Sequence, residues 1–243
     1  MPAQPLRGRL TRVTALTGSS VLVAGATGGL GAPLSRRLAA AGARLTISGR
    51  DADRLAALGL EALAVPADLR RAGAAEKVVA QAIHKYGRLD GVVFAAGSVA
   101  FGPATETPDQ VIIDLFTLNT LAPIRLLRAA LPHLHASAAG GGSPFVVHIS
   151  AVVAETPMPG MAGYSASKAG LAAFDQAAAR ELRRARIRLI DARPPHTETG
   201  LADRPLFGTA PRLPTGLDPD SVAARIITAV QDGETDLPST AFG

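Results

Sequence analysis

Val21-Leu22-Val23-Ala24-Gly25-Ala26-Thr27-Gly28-Gly29-Leu30-Gly31 is the stretch on which the fold turns. The four apolar residues that open it read as a buried strand. The glycines that follow read as a tight turn, and Leu30–Ala41 carries the amphipathic spacing of a helix. A strand–glycine turn–helix unit brings backbone N–H groups to a pyrophosphate at the positive end of the helix dipole. Gly25, Thr27, Gly28, Gly29 and Leu30 are therefore expected at the phosphates, with glycine required because a Cβ would hold the phosphate away. A glycine-rich turn is also an ordinary tight connection. Its place after the first strand favours the nucleotide reading.

Outward from this unit, short β-branched runs alternate with longer amphipathic ones, the pattern of βαβ units and a parallel sheet. Strands are expected at Val21–Ala24, Arg44–Ser48, Glu61–Val65, Gly91–Ala95, Phe145–Ser150 and Arg188–Ala192, with a last one around Thr235–Ala241. Helices are expected at Leu30–Ala41, Asp51–Leu58, Gly73–Tyr86, Thr107–Ala136, Ala162–Arg184 and Asp218–Gln231. Consecutive apolar positions in several strands imply helices on both faces. The predicted fold class is α/β: a single doubly wound domain over residues 20–243, with a parallel sheet of about seven strands. Residues 1–19 read as a flexible or surface-packed lead-in. Residues 194–214 form the one long irregular segment, as expected of a lid or substrate loop.

Composition narrows the function classes. The chain has no cysteine, so disulfides and thiol nucleophiles are excluded. No metal site is expected: His133 and His135, two apart on a helix, point to different faces. No apolar run approaches the ~18 residues of a membrane-spanning helix. Arg7, Arg9 and Arg12 lead into polar residues rather than the apolar core of a signal peptide, so a cytoplasmic protein without a membrane partner is expected. The net charge of +5 owes most to Arg180, Arg183, Arg184, Arg186 and Arg188, which read as a solvated helix end. No aromatic interleaving or recognisable module accompanies them, so no nucleic-acid partner is expected.

The second strand ends Ile47-Ser48-Gly49-Arg50. An NAD site usually places a carboxylate there for the ribose 2'-hydroxyl, whereas a 2'-phosphate requires a guanidinium. Ser48 and Gly49 are not acidic, and Arg50 supplies the guanidinium. NADP(H) is therefore preferred over NAD(H), unless Arg50 is an ordinary solvent arginine. Asp51 is read as the cap of the next helix.

These features together resemble the short-chain dehydrogenase/reductase family over nearly the whole chain from Val21. Gly25, Gly29 and Gly31 are similar to that family's Gly-x-x-x-Gly-x-Gly turn, and Asp68-Leu69 to its adenine-contacting pair. Phe94-Ala95-Ala96-Gly97 resembles its Asn-Asn-Ala-Gly with both asparagines missing. Tyr164-Ser165-Ala166-Ser167-Lys168 resembles its Tyr-x-x-x-Lys, and Asn119 the asparagine that holds a proton-relay water. Pro194-Pro195-His196-Thr197-Glu198-Thr199 resembles Pro-Gly-x-x-x-Thr, which implies Pro194, Thr197 and Thr199 at the cofactor. The resemblance implies a Rossmann-type fold, a carbonyl or alcohol substrate of small size, and a homodimer or homotetramer.

The residues themselves suit that chemistry. Tyr164 and Lys168, four apart, share one helix face, and the ammonium is expected to lower a phenol whose unperturbed pKa is about 10. One departure stands out. The family's catalytic serine precedes the tyrosine by 13 residues, where this chain has Ala151; Ser150 is one position off and faces the other side of the strand. Two readings follow: an oxidoreductase with Tyr164, Lys168 and Asn119 as its catalytic group, or a cofactor-binding sensor with weak or no turnover. His148 is expected to be a satisfied interior or sheet-edge group, and His196 a loop-surface one.

Overall fold

In the computed structural model of the chain, which describes residues 14–243, the opening strand stands in the middle of the sheet. β1 (Ser20–Ala24) pairs in parallel with β2 (Arg44–Gly49) on one side and β4 (Gly91–Phe94) on the other. With β3 (Ala62–Pro66), β5 (Phe145–Ile149), β6 (Arg188–Ala192) and β7 (Asp236–Leu237), the order is β3-β2-β1-β4-β5-β6-β7. This is the doubly wound parallel α/β sheet that the sequence predicts. The chain runs outward from β1 to β3 and then crosses to β4, so the order reverses there. A crevice opens at the carboxyl ends of β1 and β4 for that reason.

Alternation along β1 explains the two layers. Val21 and Val23 face α1 (Gly31–Ala40) and α7 (Pro219–Asp232), packing with Leu34, Leu38, Ile226 and Val230. Leu22 and Ala24 face α3 (Ala74–Tyr86), α5 (Ala122–Ala139) and α6 (Ala162–Arg184), meeting Val78, Leu126, Ala130 and Leu182. Each such side chain, fully buried, contributes roughly 1.5–3 kcal/mol. A third cluster, including Phe101, Leu115, Ala151 and Tyr164, sits beyond the carboxyl edge of the sheet. Asp51 caps α2 (Ala52–Ala56) by accepting from the amides of Asp53 and Arg54. Asp218 caps α7 through the Ser221 amide, with Pro219 in the first turn.

Several expectations need correction. The helix expected over Thr107–Ala136 is α4 (Asp109–Phe116), then a π-turn (Thr117–Leu121), then α5. Helical periodicity cannot register a single extra residue in a turn, and such π-turns gather at functional sites. The last strand shrinks to Asp236–Leu237, because Pro238 interrupts it before a 3-10 turn at Ser239–Phe242. Against the expectation of no such run, the helical stretch Asp109–Ala139 is by length and composition alone apolar enough to cross a bilayer, as the core helix of a globular domain also can be. Its residues Leu126, Leu127, Ala130 and Leu134 are core residues of the second layer.

The lead-in read over residues 1–19, with Arg7, Arg9 and Arg12, falls outside the described residues up to position 13. From there the chain is packed: Leu16 joins the core, and the Thr14 amide donates to Gln231 O at 3.0 Å. Arg180, Arg183, Arg184 and Arg186 are exposed, as expected of a solvated helix end, and only Arg188 departs from that reading. Arg188 is half-buried and donates to Val230 O at 2.8 Å and to the Thr14 hydroxyl, and Arg186 reaches Ala138 O. Both hold the carboxyl ends of helices, as cations do.

Asp90 ties the amino edge of the sheet together. Its carboxylate accepts from the Ser20 amide at 2.9 Å, the Ser137 hydroxyl at 2.6 Å and the Arg88 guanidinium at 2.7 and 2.8 Å. Burial pushes this carboxyl up, but those three donors outweigh it and hold it below the ordinary carboxylate range. A group depressed in the fold stabilises above its unfolded pKa and loses that contribution as pH falls through its folded value. Asp90→Ala is expected to lower stability by about 2–3 kcal/mol in urea titrations near neutral pH. The gap between wild type and variant should shrink below about pH 4.

Candidate active site

The glycines of the turn are explained mainly by the protein's own backbone. Gly25 has φ +79°, and a Cβ there would lie 2.5 Å from Ala96 N. A Cβ on Gly31 would lie 2.0 Å from Gly25 O, and one on Gly29 2.5 Å from Thr199 Cβ. The expected reason, keeping side chains off a phosphate, is thus secondary at these three positions. What the turn offers an anion is different. The N-terminus of α1 has no side-chain cap and no acidic residue in its first turn. Among the described residues the Gly29 and Leu30 amides find no backbone acceptor. Such an end carries a partial positive charge and unfilled donors.

The turn forms one wall of a cleft of about 420 Å³. Gly25, Thr27, Gly28, Gly29 and Leu30 line it together with Arg50, Asp68 and Leu69 at the outer end. Ala95, Ala96 and Gly97 form its floor, and Pro194, Thr197 and Thr199 its far wall. Tyr164 and Lys168 face it from α6. Two expected residues lie behind the wall instead. Ser48 is fully buried and donates to Val65 O at 2.9 Å. Asn119, buried in the π-turn, accepts from the Ser98 amide and donates to Ser98 O and the Ser167 hydroxyl, at 2.9, 2.9 and 3.0 Å. Its side chain clamps the segment after β4 to α6.

The outer end is rich in guanidinium groups. Arg50 is exposed and has no ion-pair partner among the described residues. Arg54, one helical turn further, donates to Thr27 O at 3.1 Å. Arg70 grips both oxygens of Asp68, holding its carboxyl below the usual range. The inner end is apolar, lined by Val99, Phe101, Met158, Met161 and Leu206. The irregular segment after Pro194 is fastened over it by Phe101 N to Phe207 O at 3.0 Å and Leu206 N to Val99 O at 2.8 Å.

Tyr164 and Lys168 are both buried. Lys168 Nζ donates to Ile149 O at 2.8 Å, which leaves two of its N–H bonds for the cleft. Burial pulls the Lys168 ammonium down to about 8, opposed by the carboxylates of Asp191 and Asp175. The expectation that the ammonium lowers the tyrosine is corrected: burial dominates and pushes the Tyr164 phenol above its ordinary value. Ser150 does not face the cleft chemistry as a free donor, because its hydroxyl is taken by Asp191. Ala151 presents a methyl at the carboxyl end of β5, within the cluster that includes Tyr164. His148 is interior, as read, with Nδ1 2.8 Å from Asp175 Oδ1, but among the described residues its Nε2 has no partner.

Residues 19–205 match the short chain dehydrogenase family. An uncharacterized oxidoreductase of Methylorubrum extorquens is 31% identical over 234 residues, 89% of this chain and 92% of that one. The chain belongs to the short-chain dehydrogenase/reductase family. Members are NAD(P)-dependent oxidoreductases acting on small-molecule carbonyl or alcohol substrates, and this chain is an enzyme of that kind. A metagenomic short-chain oxidoreductase in complex with NADP superposes with TM-score 0.75 at 27% identity, covering 93% of this chain and 98% of that one. The fold is also that of a 3-ketoacyl-(acyl-carrier-protein) reductase from Brucella melitensis complexed with NADH. There the TM-score is 0.82 at 24% identity, over 94% of this chain and all of that one.

Arg54, Arg70 and Arg204 also line the cleft, although Arg50 is the one arginine the sequence singled out there, and His196, read as a loop-surface group, lines it too. Gly25→Ala is expected to lower folding stability by more than about 2 kcal/mol in urea with no dinucleotide present, through strain at positive φ and the backbone clash. An unchanged midpoint would return the glycine to a phosphate-only role.

Proposed function

We propose that the chain is an NADP(H)-dependent oxidoreductase that interconverts a carbonyl and an alcohol, with Tyr164 as the acid/base. The observation that carries this reading is one cleft joining an uncapped helix N-terminus, an unpaired Arg50 and the Tyr164–Lys168 face of α6. The residues suited to the cofactor are Gly28, Gly29 and Leu30 at the pyrophosphate and Asp68 and Leu69 at the adenine. Arg50 suits the 2'-phosphate, and Lys168, Pro194, Thr197 and Thr199 the nicotinamide half. When bound, the nicotinamide exchanges a hydride with the substrate carbon.

Tyr164 keeps its proton in the buried site, which suits donation to a carbonyl oxygen as the carbon gains hydride. The C=O π pair moves to oxygen, the O–H bond of Tyr164 breaks, and an alcohol and a phenolate result. Lys168, held at Ile149 O, stands one turn from that phenolate and favours it. Asn119 acts from behind, keeping the floor of the cleft and α6 in register. The buried Val99 and Phe101 screen the reacting end from water.

A second reading, a cofactor-binding sensor with weak or no turnover, is favoured by one observation. Ala151 cannot donate to a substrate oxygen, and Ser150 already serves Asp191. A missing oxyanion donor typically costs ~2.7–4 kcal/mol. The exposed Ile113 and Leu121, on α4 and the π-turn, suit burial in a homodimer or homotetramer.

Arg50→Ala is expected to weaken NADPH binding by about 10- to 100-fold and leave NADH binding unchanged, as read by cofactor fluorescence. Tyr164→Phe should retain NADPH affinity and lose on the order of 10²–10⁴ in kcat on a carbonyl panel. Should the wild type bind NADPH and turn over nothing while Ala151→Ser reduces a ketone, the sensor reading holds.

A further inference from the structure

Behind the cleft, between β5, β6 and α6, a group of ionisable side chains is shut away from solvent. His148 and Asp175, with 0% and 1% of their side chains exposed, meet at 2.8 Å. Asp191 is the register partner of His148 on β6 and accepts from the Ser150 hydroxyl. Arg193 holds Asp191 Oδ2 at 2.6 Å and continues outward to Glu155 at 2.5 Å and Asp236 at 2.8 Å. Lys168 ends at Ile149 O, the residue next to His148. The proposed chemistry uses neither His148 nor Asp175.

Charge accounting separates the group into two parts. Arg193 is shared by Asp191, Glu155 and Asp236, so Asp191 is only partly neutralised and acts on Lys168 alongside Asp175. Lys168, His148 and Asp175 form the other part. Among the described residues, His148 Nε2 and Asp175 Oδ2 have no hydrogen-bond partner. A doubly protonated ring would bury an N–H with no acceptor, whereas a neutral ring protonated on Nδ1 leaves only a lone pair unfilled. That tautomer donates to Asp175 and favours its carboxylate. Asp175 follows Lys168 by seven residues on α6, two turns along the same face.

We propose that the His148–Asp175 pair supplies, beside Asp191, the interior counter-charge that holds Lys168 as an ammonium, making Asp175 a positioning residue for the lysine of the cleft. The inference rests on the proposed function only for the use made of that lysine; its charge is measurable without turnover. The groups facing Lys168 are Tyr164 and Asp175 on its own helix, His148 on β5, and Asp191 and Arg193 at β6. From the π-turn comes Asn119, which carries no charge. Burial pulls Lys168 down, and Asp191 and Asp175 both act against it. Burial likewise lifts the Asp175 carboxyl, and His148 opposes that. Asp191 and Arg193 are common to wild type and variant, so replacing Asp175 isolates its share.

The chain has three lysines, Lys77, Lys85 and Lys168, so lysine ε-carbon labelling gives three signals to follow by NMR through the neutral and alkaline range. The Lys168 signal is assigned as the one missing from Lys168→Gln. In the full chain Lys168 is expected to titrate at about 8. In Asp175→Asn its midpoint should fall by on the order of one pH unit, with Lys77 and Lys85 unmoved. Should Asp175→Asn fail to fold by circular dichroism, His148→Leu carries the test, because Asp175 without its donor reverts toward the neutral acid and the midpoint falls again. A folded variant whose Lys168 midpoint is unmoved overturns the proposal, even if its Tm drops. Turnover with an unmoved lysine refutes this inference alone; a shifted lysine with no turnover refutes the functional reading alone.

Discussion

The backbone of the first turn lies against the backbone that leaves β4 with no room for a side chain between them, and the site depends on that approach. It fixes how far the N-terminus of α1 projects over the sheet, and it places Ala95, Ala96 and Gly97 as the floor of the cleft. From Gly97 the order passes to Ser98, whose amide and carbonyl are both held by Asn119. Asn119 in turn holds Ser167, and the Thr120 hydroxyl donates to Ser167 O at 2.7 Å. A continuous set of contacts therefore runs from the glycine turn to the helix that carries Tyr164 and Lys168. Position along this set, rather than any single strong bond, gives the cleft its geometry.

Polarity changes along the same cleft. Guanidinium groups crowd the outer end, one buried ammonium marks the middle, and methyl and thioether groups close the inner end. Because Tyr164 and Lys168 are buried, their ionisation is governed by burial first and by partners second. That ordering explains why the tyrosine rises despite a lysine one turn away. It also explains why a carboxylate deep under α6 bears on a lysine at the surface of the cleft.

Much of the architecture was legible because a strand buried on both faces must be largely apolar, as Val21–Ala24, Gly91–Phe94 and Phe145–Val147 are. Tyr164, Lys168 and the glycine turn were legible because their spacing is local. What was hidden depends on partners distant in sequence. Ser48 and Asn119 have the right residue types, but only tertiary packing shows their side chains turned inward. The π-turn at Thr117–Leu121 leaves apolar periodicity almost unchanged. Leu16 was read as lead-in because one apolar residue among threonines carries no periodic signal. The role of Asp68 was obscured by Arg70, which a motif comparison does not weigh.

The central place of β1 also bears on how the chain reaches this state. Its partner β4 begins 70 residues downstream, as the Ser20–Asp90 hydrogen bond measures directly. Because every strand pair is parallel, no hairpin can form first, and each pairing waits for the helix that must cross between its strands. Such non-local pairing is slow. During synthesis, β1 emerges early and stays an unpaired apolar edge until β2 and then β4 arrive. The segment that reads most clearly as the core of the finished protein is thus the one most exposed to wrong partners while it folds.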